Sequence, residues 1–193
     1  MLAPITITYP FRPARRSLAT ARVADLFGLL GDDPPHTVAD NLTLDVRPGD
    51  VVLFTGPSGS GKSSVLREAG KQLNAVDIAA LDLPDVPLVD ALPGPVDDRL
   101  AALAGCGLSE ARLLLRTPSE LSDGQRYRFR LAFALAGARG EERGSSEDPP
   151  SRSSLLAPHS FLLCDEFAAV LDRPLAKVLA FNLRKLATRS GVG

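Results

Sequence analysis

The chain has 193 residues, 45% of them hydrophobic and 23% charged, and its 22 lysines and arginines against 23 aspartates and glutamates give a net charge of −1. This predicts a globular protein with one domain, and the charge balance gives no bulk electrostatic case for binding nucleic acid or an anionic membrane surface. No apolar run reaches the roughly 18 residues of a membrane span, and the first charges follow a short apolar run, the reverse of the secretory order, so we expect a cytoplasmic protein.

The first half of the chain alternates strand and helix patterns. Residues 5–10, with the sequence ITITYP, alternate and are β-branched, which predicts an edge strand that ends at the proline. Residues 21–30 place apolar side chains at helical spacing, and Gly31 is predicted to end that helix. Residues 41–46 alternate again. After a turn, residues 51–55 form the continuous apolar run VVLFT, which predicts a strand buried on both faces.

The second half contains more helices than strands. Helices are predicted at residues 63–75, 97–115, 124–139 and 173–190, and a buried strand is predicted at residues 161–167. Residues 76–95 are too rich in proline for a long helix. Residues from about 140 to 160 mix glycine, serine, proline and charges, which predicts a surface loop or a locally disordered insertion. Strands that alternate with helices predict an α/β fold, with a mostly parallel sheet flanked by helices.

The two cysteines, Cys106 and Cys164, are too few and too far apart for a disulfide framework or a set of metal ligands. Free cysteines usually behave as small buried hydrophobic residues. We therefore expect both thiols to be reduced and to lie in the core.

The glycine-rich sequence GPSGSGKSS fits the phosphate-binding pattern G-x-x-x-x-G-K-[ST] in full. It lies between a predicted strand and a predicted helix. Glycines there let backbone amides curl around an anion, and the helix adds its positive N-terminal end. Lys62 would reach the β- and γ-phosphates of a nucleotide, and the Ser63 hydroxyl would ligate Mg²⁺. The residues predicted to bind the nucleotide in this loop are Gly56, Ser58, Gly59, Ser60, Gly61, Lys62, Ser63 and Ser64.

A carboxylate for the metal is predicted at the end of the strand FLLCDEF. Asp165 and Glu166 follow its apolar residues, at the carboxyl edge where parallel sheets present their ligand sites. Asp165 would hold Mg²⁺ directly or through a water molecule, and Glu166 would polarise the attacking water. The alternative is an Asp–Glu pair that only caps the following turn.

Two further segments resemble motifs of the ABC-type ATPases. The sequence LSDGQ, which ends at Gln125, resembles the family's LSGGQ signature at the start of a basic, alanine-rich helix, with Asp123 in place of a glycine. The sequence DEFAAVLD, which begins at Asp165, matches the family's DEPTSALD segment in length, with Phe167 in place of proline. Together with the glycine loop, three motifs in the family's order resemble one family over about residues 41–172.

The resemblance implies a P-loop NTPase fold in a single domain, residues 1–193, with an N-terminal antiparallel β portion and a small, trimmed helical subdomain at about residues 96–138. It implies ATP and Mg²⁺ as ligands. It also implies a head-to-tail homodimer, or pairing with a second ABC-type domain, in which each signature helix caps the γ-phosphate held by the opposite subunit. The residues implied at that contact are Ser122, Gly124, Gln125 and Asp172. The alternative for the signature is an ordinary helix start that Ser122 caps.

The family usually stacks an aromatic ring on adenine ahead of its core strands. Tyr9 is the best candidate for that ring and Phe11 the second, and such a stack contributes about 1–3 kcal/mol by analogy with other base–aromatic contacts. A core or surface aromatic without a ligand is the alternative.

Two residues usual in the family are not found: a glutamine between the helix that follows the glycine loop and the signature, since Gln72 belongs to that helix, and a histidine on the strand after the last helix. The sequence stops where that strand would begin, so the C-terminal part is expected to be missing. The leading expectation is a soluble ATPase that hydrolyses ATP and drives a partner module. The alternatives are the energising subunit of a membrane transporter, which the absent glutamine disfavours, and a regulator that binds ATP with little turnover.

Overall fold

The computed structural model describes residues 2–10, 15, 17–29, 34–140 and 161–190. The chain divides into two compact units. The N-terminal unit comprises Met1–Asp45 and Phe54–Ala69, and the C-terminal unit comprises Val46–Leu53 and Gly70–Gly193. Each unit has its own hydrophobic contacts, and the residues implicated by the sequence are distributed over both.

An antiparallel strand pair forms the N-terminal unit together with one helix and the glycine loop. Strand β1 is Ile5–Tyr9 and strand β2 is His36–Leu42, and Tyr9 lies opposite His36. The edge strand expected from ITITYP is therefore present, as is an antiparallel β portion at the N-terminus. Strand β2 begins and ends earlier than the alternation of residues 41–46 predicts. Asn41 adopts φ +50°, which interrupts the extended conformation near the strand's end, where the register against β1 also shifts.

Helix α1, Leu18–Phe27, begins at a capping box formed by Ser17 and Thr20. It ends at Gly28 and not at the predicted Gly31, which lies outside the described residues. Gly28 adopts φ +67°, and its N–H donates to carbonyls of the last helical turn. The first glycine that can enter the left-handed region ends the helix, because it satisfies carbonyls that would otherwise lack donors.

The prediction of a buried strand at residues 51–55 is wrong. The segment is not in a strand, and Val51, Val52 and Leu53 are 53%, 46% and 73% exposed. A strand buried on both faces needs neighbouring strands on each side and helices above and below. Both sheets of the described residues are two-stranded, and neither includes this segment. The apolar sequence therefore lacks the partners that would bury it.

The C-terminal unit is mainly helical. Its helices are α3 Leu88–Ala91, α4 Val96–Gly105, α5 Ala111–Leu114, α6 Asp123–Gly140 and α7 Arg173–Ser190. Helix α2, Lys62–Gln72, precedes them directly after the glycine loop. The predicted helices are thus present, and the one expected over residues 97–115 is broken at Cys106 and Gly107, as its glycines predict. Short 3₁₀ turns, Ile78–Ala80 and Pro118–Glu120, complete this unit.

Helix α6 is central to the core of the C-terminal unit. Phe129, Leu131, Ala132 and Ala134 are buried although they occupy different faces of the helix, which is typical of a helix packed on several sides. Burying one large side chain of this kind contributes about 1.5–3 kcal/mol. Cys106 is buried in the same cluster, whereas Cys164, which was also expected in the core, is only partly buried. No disulfide joins the two cysteines, as expected.

A short parallel strand pair supports the second candidate site. Strand β3, Val76–Asp77, pairs with strand β4, Leu162–Leu163, and this is the parallel pairing found among the described residues. Gly70 packs closely against β4, since a Cβ there would clash with the Leu163 Cδ1 atom. The buried strand expected over residues 161–167 is therefore two residues long, and a wider parallel sheet is not seen in the described part of the chain.

The insertion expected at about residues 140–160 lies almost wholly outside the described residues, as does Phe11, the second candidate for the adenine-stacking ring. None of the helices in the described ranges is long and apolar enough to cross a membrane.

Candidate nucleotide-binding site

The glycine loop enters helix α2 through a backbone that only glycine supports. Gly59 and Gly61 adopt φ +78° and +82°, in the left-handed region that disfavours other residues. At Gly61 a Cβ would also clash with the Val38 Cγ1 atom of strand β2. Two independent features therefore favour glycine at position 61: its left-handed φ angle and the Val38 side chain, which leaves no room for a Cβ.

Lys62, the first residue of α2, folds back over this loop. Its ammonium Nζ donates to the backbone carbonyls of Gly56, at 3.1 Å, and Pro57, at 2.7 Å. The Gly61 carbonyl accepts from the N–H groups of Ser64 and Val65 at 2.9 and 3.0 Å, which begins the helix. The positive charge is thereby held beside the backbone carbonyls of its own loop.

The remaining predicted residues of the loop lie around this turn. Ser58, Gly59 and Ser60 are exposed, and the Ser60 N–H donates to the Pro57 carbonyl at 3.3 Å. Ser63 and Ser64 lie in the first turn of α2 and are partly buried. The structure thus gathers all the predicted loop residues at the N-terminus of one helix, where backbone amides and the helix dipole favour an anion.

Tyr9 lies beside this loop although the two are far apart in sequence. Its hydroxyl donates to the Ser64 Oγ atom at 2.8 Å, and the side chain remains 49% exposed. Strand β1 brings the tyrosine there, since Tyr9 is its last residue. The exposed ring therefore lies beside the glycine loop, and its stacking on adenine stays a prediction.

The acidic pair follows strand β4 in a tight turn. Asp165 comes two residues after the strand, and its Oδ1 atom accepts from the Glu166 N–H at 3.1 Å. Glu166 adopts φ +53° and Ala168 adopts φ +59°, both in the left-handed region although neither is glycine. Such residues cost about 1–3 kcal/mol each and persist where the surroundings hold them.

Tyr127 of helix α6 contacts this turn. Its hydroxyl oxygen accepts from the Ala168 N–H at 3.3 Å, and its ring packs edge-on against Phe167 with 6.3 Å between the centroids. Tyr127 and Cys164 both pack, partly buried, against the same core cluster. Burial, with the Asp77 carboxylate as a second cause, raises the pKa of the Cys164 thiol to about 12, and burial raises the pKa of the Tyr127 phenol. Sequence reasoning missed Tyr127, because nothing local connects it to a turn 41 positions away.

The signature segment forms a capping box at the start of α6. The Ser122 Oγ atom accepts from the Gln125 N–H at 3.4 Å, and the Gln125 Oε1 atom accepts from the Ser122 N–H at 3.0 Å. The Asp123 Oδ1 atom lies 3.8 Å from the Arg126 Nη1 atom. The cap that the sequence allowed as the alternative is therefore present, and it uses the Ser122 hydroxyl and the Gln125 amide oxygen as acceptors for backbone N–H groups.

Asp172 begins helix α7 in a similar way. Its Oδ1 atom accepts from the Leu175 N–H at 2.8 Å. Gly124 lies close to the same segment, since a Cβ on it would be 3.2 Å from the Val170 carbonyl oxygen. The signature helix and the segment from Asp165 to Asp172 are thus packed against each other within the C-terminal unit.

The predicted residues fall into two groups. Tyr9 and the glycine loop belong to the N-terminal unit, and the signature, Asp165, Glu166 and Asp172 belong to the C-terminal unit. Within the described residues there is no group of three or more His, Cys, Asp and Glu side chains that would hold a metal ion by themselves. Mg²⁺ in nucleotide sites is usually held by one or two protein ligands together with substrate phosphates, so a serine hydroxyl and one carboxylate have the donor chemistry it requires.

Comparison with known proteins identifies the family. The chain is 30% identical to the lipoprotein-releasing system ATP-binding protein LolD of Maricaulis maris, over 76% of this chain and 82% of the relative. It is 28% identical to the putative ABC transporter ATP-binding protein YjkB of Bacillus subtilis, over 82% of this chain and 66% of the relative. A shorter match, 46% identical, joins 28% of this chain to 21% of the aliphatic sulfonates import ATP-binding protein SsuB 1 of Streptomyces avermitilis.

No protein-family model matches the chain, and no solved structure matches it. The relative at 30% identity is nevertheless matched over most of its length, and the glycine loop has the geometry of a phosphate-binding loop that leads into a helix. The chain is an α/β protein with a P-loop NTPase fold, and it belongs to the family of ABC-type ATPases.

Proposed function

We propose that this protein binds MgATP through the glycine loop and hydrolyses it to ADP and phosphate. The observation that carries the proposal is the loop itself: a complete phosphate-binding motif, held against strand β2 by Gly61 and opening onto the N-terminus of α2. Membership of the ABC-type ATPases supports the same chemistry. In keeping with that family, we expect it to act in the cytoplasm.

The loop binds the phosphates with its backbone and with one cation. Backbone amides of the glycine loop, together with the positive N-terminal end of α2, direct their partial positive charge at the phosphate oxygens. Lys62 releases the Gly56 and Pro57 carbonyls and donates to the β- and γ-phosphates. This exchange replaces neutral carbonyl acceptors by anionic phosphate oxygens, so that the charge of the Lys62 ammonium is paired with an opposite charge. Tyr9 stacks on the adenine while its hydroxyl stays near Ser64.

The metal and the water are assigned to a hydroxyl and two carboxylates. Ser63 and Asp165 supply the oxygen ligands, the type that Mg²⁺ prefers. A bound Mg²⁺ ion supplies positive charge that stabilises the developing charge on the transferred phosphoryl group. Glu166 orients the attacking water and accepts its proton, so that the water oxygen bonds to the γ-phosphorus as the bond to ADP breaks.

Hydrolysis is proposed to occur in a head-to-tail dimer, or in a pair with a second ABC-type domain. Ser122, Gly124 and Gln125 cap the γ-phosphate held by the opposite subunit, and Asp172 lies at the contact. The residues of the chain form one ABC-type domain, in which residues from about 96 to 138 are the helical subdomain and the sheet is mostly parallel. The capping box has to open only if the N–H groups of Ser122 and Gln125 bind this phosphate, because in the closed box the Ser122 hydroxyl and the Gln125 side-chain NH₂ group can still donate to it.

A second candidate is the energising subunit of a membrane transporter. The names of several relatives favour it, since they are ATP-binding proteins of a lipoprotein-releasing system and of import systems. It predicts co-purification with a polytopic membrane protein when the chain is isolated from its own cells. If the chain is instead a soluble ATPase that drives another partner module, no membrane protein is expected to co-purify with it.

The test is calorimetric titration with MgATP, followed by single-turnover hydrolysis. Binding of MgATP by folded protein supports the assignment of the loop, and no binding contradicts it. We expect Glu166→Gln to bind ATP normally and to hydrolyse it at least about 100-fold more slowly, the usual loss on removing a general base. The matched control is Glu110→Gln, which changes an exposed carboxylate at the start of α5. A wild type as slow as the Glu166→Gln variant would instead favour a regulator that binds ATP without useful turnover.

A further inference from the structure

The turn that carries the acidic pair needs support from outside itself. Glu166 and Ala168 both adopt left-handed φ angles that cost free energy for residues with a Cβ. Within the turn the Ala169 N–H donates to the Glu166 carbonyl and the Leu171 N–H to the Ala168 carbonyl, each at 3.0 Å. These bonds leave the N–H of Ala168, itself one of the two strained residues, to find an acceptor elsewhere.

Tyr127 provides that acceptor. Its hydroxyl oxygen receives the Ala168 N–H at 3.3 Å. The Tyr127 ring also packs edge-on against Phe167, the residue that directly follows Glu166. One side chain of helix α6 thus contacts the two residues that follow the acidic pair without being part of the turn.

Helix α6, which carries Tyr127, is itself fixed to the same segment. The first turn of the helix approaches the Val170 carbonyl through Gly124, and Arg128 anchors the helix by donating to the Gly107 carbonyl at 2.6 Å. Tyr127 lies two residues after Gln125, the last residue of the signature segment. A displacement of the helix start therefore moves the tyrosine that holds the acidic turn.

We propose that Tyr127 is a positioning residue that couples the signature end of helix α6 to the Glu166 turn, and that its hydroxyl sets the orientation of the Glu166 carboxylate. The proposal rests on the proposed function, because it gives Glu166 a reaction to serve. When Ser122 and Gln125 exchange their capping box for a phosphate, the change at the helix start is passed to Glu166 through Tyr127.

A ring that only fills the core would need no hydroxyl. Tyr127→Phe separates the two roles, since it keeps the ring and its contact with Phe167 and removes the hydrogen bond to Ala168. The matched control is Asn182→Ala, which removes another side-chain to backbone bond of the same unit, from Asn182 to the Gly105 carbonyl, at a place that does not touch the turn.

The first readout is hydrogen exchange of the full chain without nucleotide. We expect the amides of residues 165–169 to exchange roughly fivefold faster in Tyr127→Phe, as the loss of one hydrogen bond predicts, and to be unchanged in Asn182→Ala. Unchanged exchange in Tyr127→Phe would overturn the proposal whether or not the protein hydrolyses ATP.

The second readout is steady-state ATP hydrolysis. We expect Tyr127→Phe to lower kcat roughly fivefold while the KM for MgATP changes less than twofold, as loss of an interaction made only in the transition state predicts. A loss in both parameters, or the same loss in Asn182→Ala, would show a general structural effect and overturn the proposal. A wild type that binds no MgATP contradicts the proposed function instead, and the exchange result then stands on its own.

Discussion

Two helices of this protein begin at residues predicted to bind phosphate, but their first turns are stabilised differently. Helix α2 begins after a glycine loop in which Gly61 has no room for a Cβ beside Val38. Helix α6 begins at a capping box in which Ser122 and Gln125 satisfy each other's N–H groups. The start of α2 is fixed by steric exclusion, and the start of α6 by hydrogen bonds that another acceptor can replace.

The difference suggests separate tasks for the two helix starts. A start fixed by sterics presents the same amides with or without a ligand, which suits the site that binds the nucleotide first. At the start of α6 the Ser122 and Gln125 side chains accept from the backbone N–H groups, which can bind another acceptor only when those side chains turn away. Such an arrangement suits a contact made on dimerisation. The sizes of mutational effects should differ accordingly, and the following predictions test this from the largest effect to the smallest.

The largest effect is expected for Gly61→Ala. The added Cβ would clash with Val38 at a φ of +82°, so we expect destabilisation of about 3 kcal/mol or more and loss of MgATP binding. Thermal unfolding and calorimetry measure both.

Gly59→Ala is the matched control, because Gly59 adopts a similar φ of +78° with nothing within 4 Å of the added Cβ. We expect it to cost only the backbone strain, about 1–2 kcal/mol. Adding Val38→Ala to Gly61→Ala should recover part of the stability. Equal losses of stability in Gly59→Ala and Gly61→Ala would show that the contact with Val38 is unimportant. The start of α2 would then not be fixed by steric exclusion.

Lys62→Ala is expected to weaken MgATP binding about 100-fold, which is about 3 kcal/mol, because it removes the cation of the loop. Folding should change little, since the hydrogen bonds described for the Lys62 ammonium go to exposed carbonyls of its own loop. Lys71→Ala, in the last turn of the same helix, controls for loss of charge. Normal binding by Lys62→Ala would remove this residue from the site.

Ser122→Arg is expected to leave binding of ATP to the monomer intact and to prevent ATP-induced dimerisation, because a long charged side chain would occupy the contact at the start of α6. Light scattering with ATP in the Glu166→Gln background measures the assembly. Ser109→Arg, at another exposed serine of the same unit, is the control. A dimer formed by Ser122→Arg would contradict the trans contact.

The smallest effect is expected for Ser122→Ala. Loss of one side-chain cap costs about 1 kcal/mol, which corresponds to a fall in Tm of roughly 2–4 °C for a chain of this size. The helix should still form, because its interior is held by buried residues such as Phe129. A loss as large as that of Gly61→Ala would show that the capping box is as indispensable as the glycine, contrary to the comparison.

The sequence predicted the features that local chemistry determines. The glycine loop, the start of α2 and the break near Cys106 follow from glycine and lysine positions that act within a few residues. Strand β1 could be predicted from its alternation for the same reason.

Long-range contacts were not predictable in this way. Val38, in strand β2, is the residue that a Cβ on Gly61 would meet, and the Tyr127 hydroxyl contacts the Ala168 N–H across 41 positions. The apolar residues 51–53 gave a strong strand pattern, yet their burial depends on neighbouring strands that the pattern cannot supply. Gly31 was expected to end α1, but Gly28 reaches the free carbonyls first.

The left-handed backbone of Glu166 has a consequence for protein engineering. Glycine or asparagine adopts φ +53° more easily than glutamate, so either substitution should raise thermal stability while removing the carboxylate assigned to water activation. A library screened only for heat resistance would therefore enrich inactive variants at this position. Directed evolution of this enzyme needs a selection for turnover alongside the one for folding.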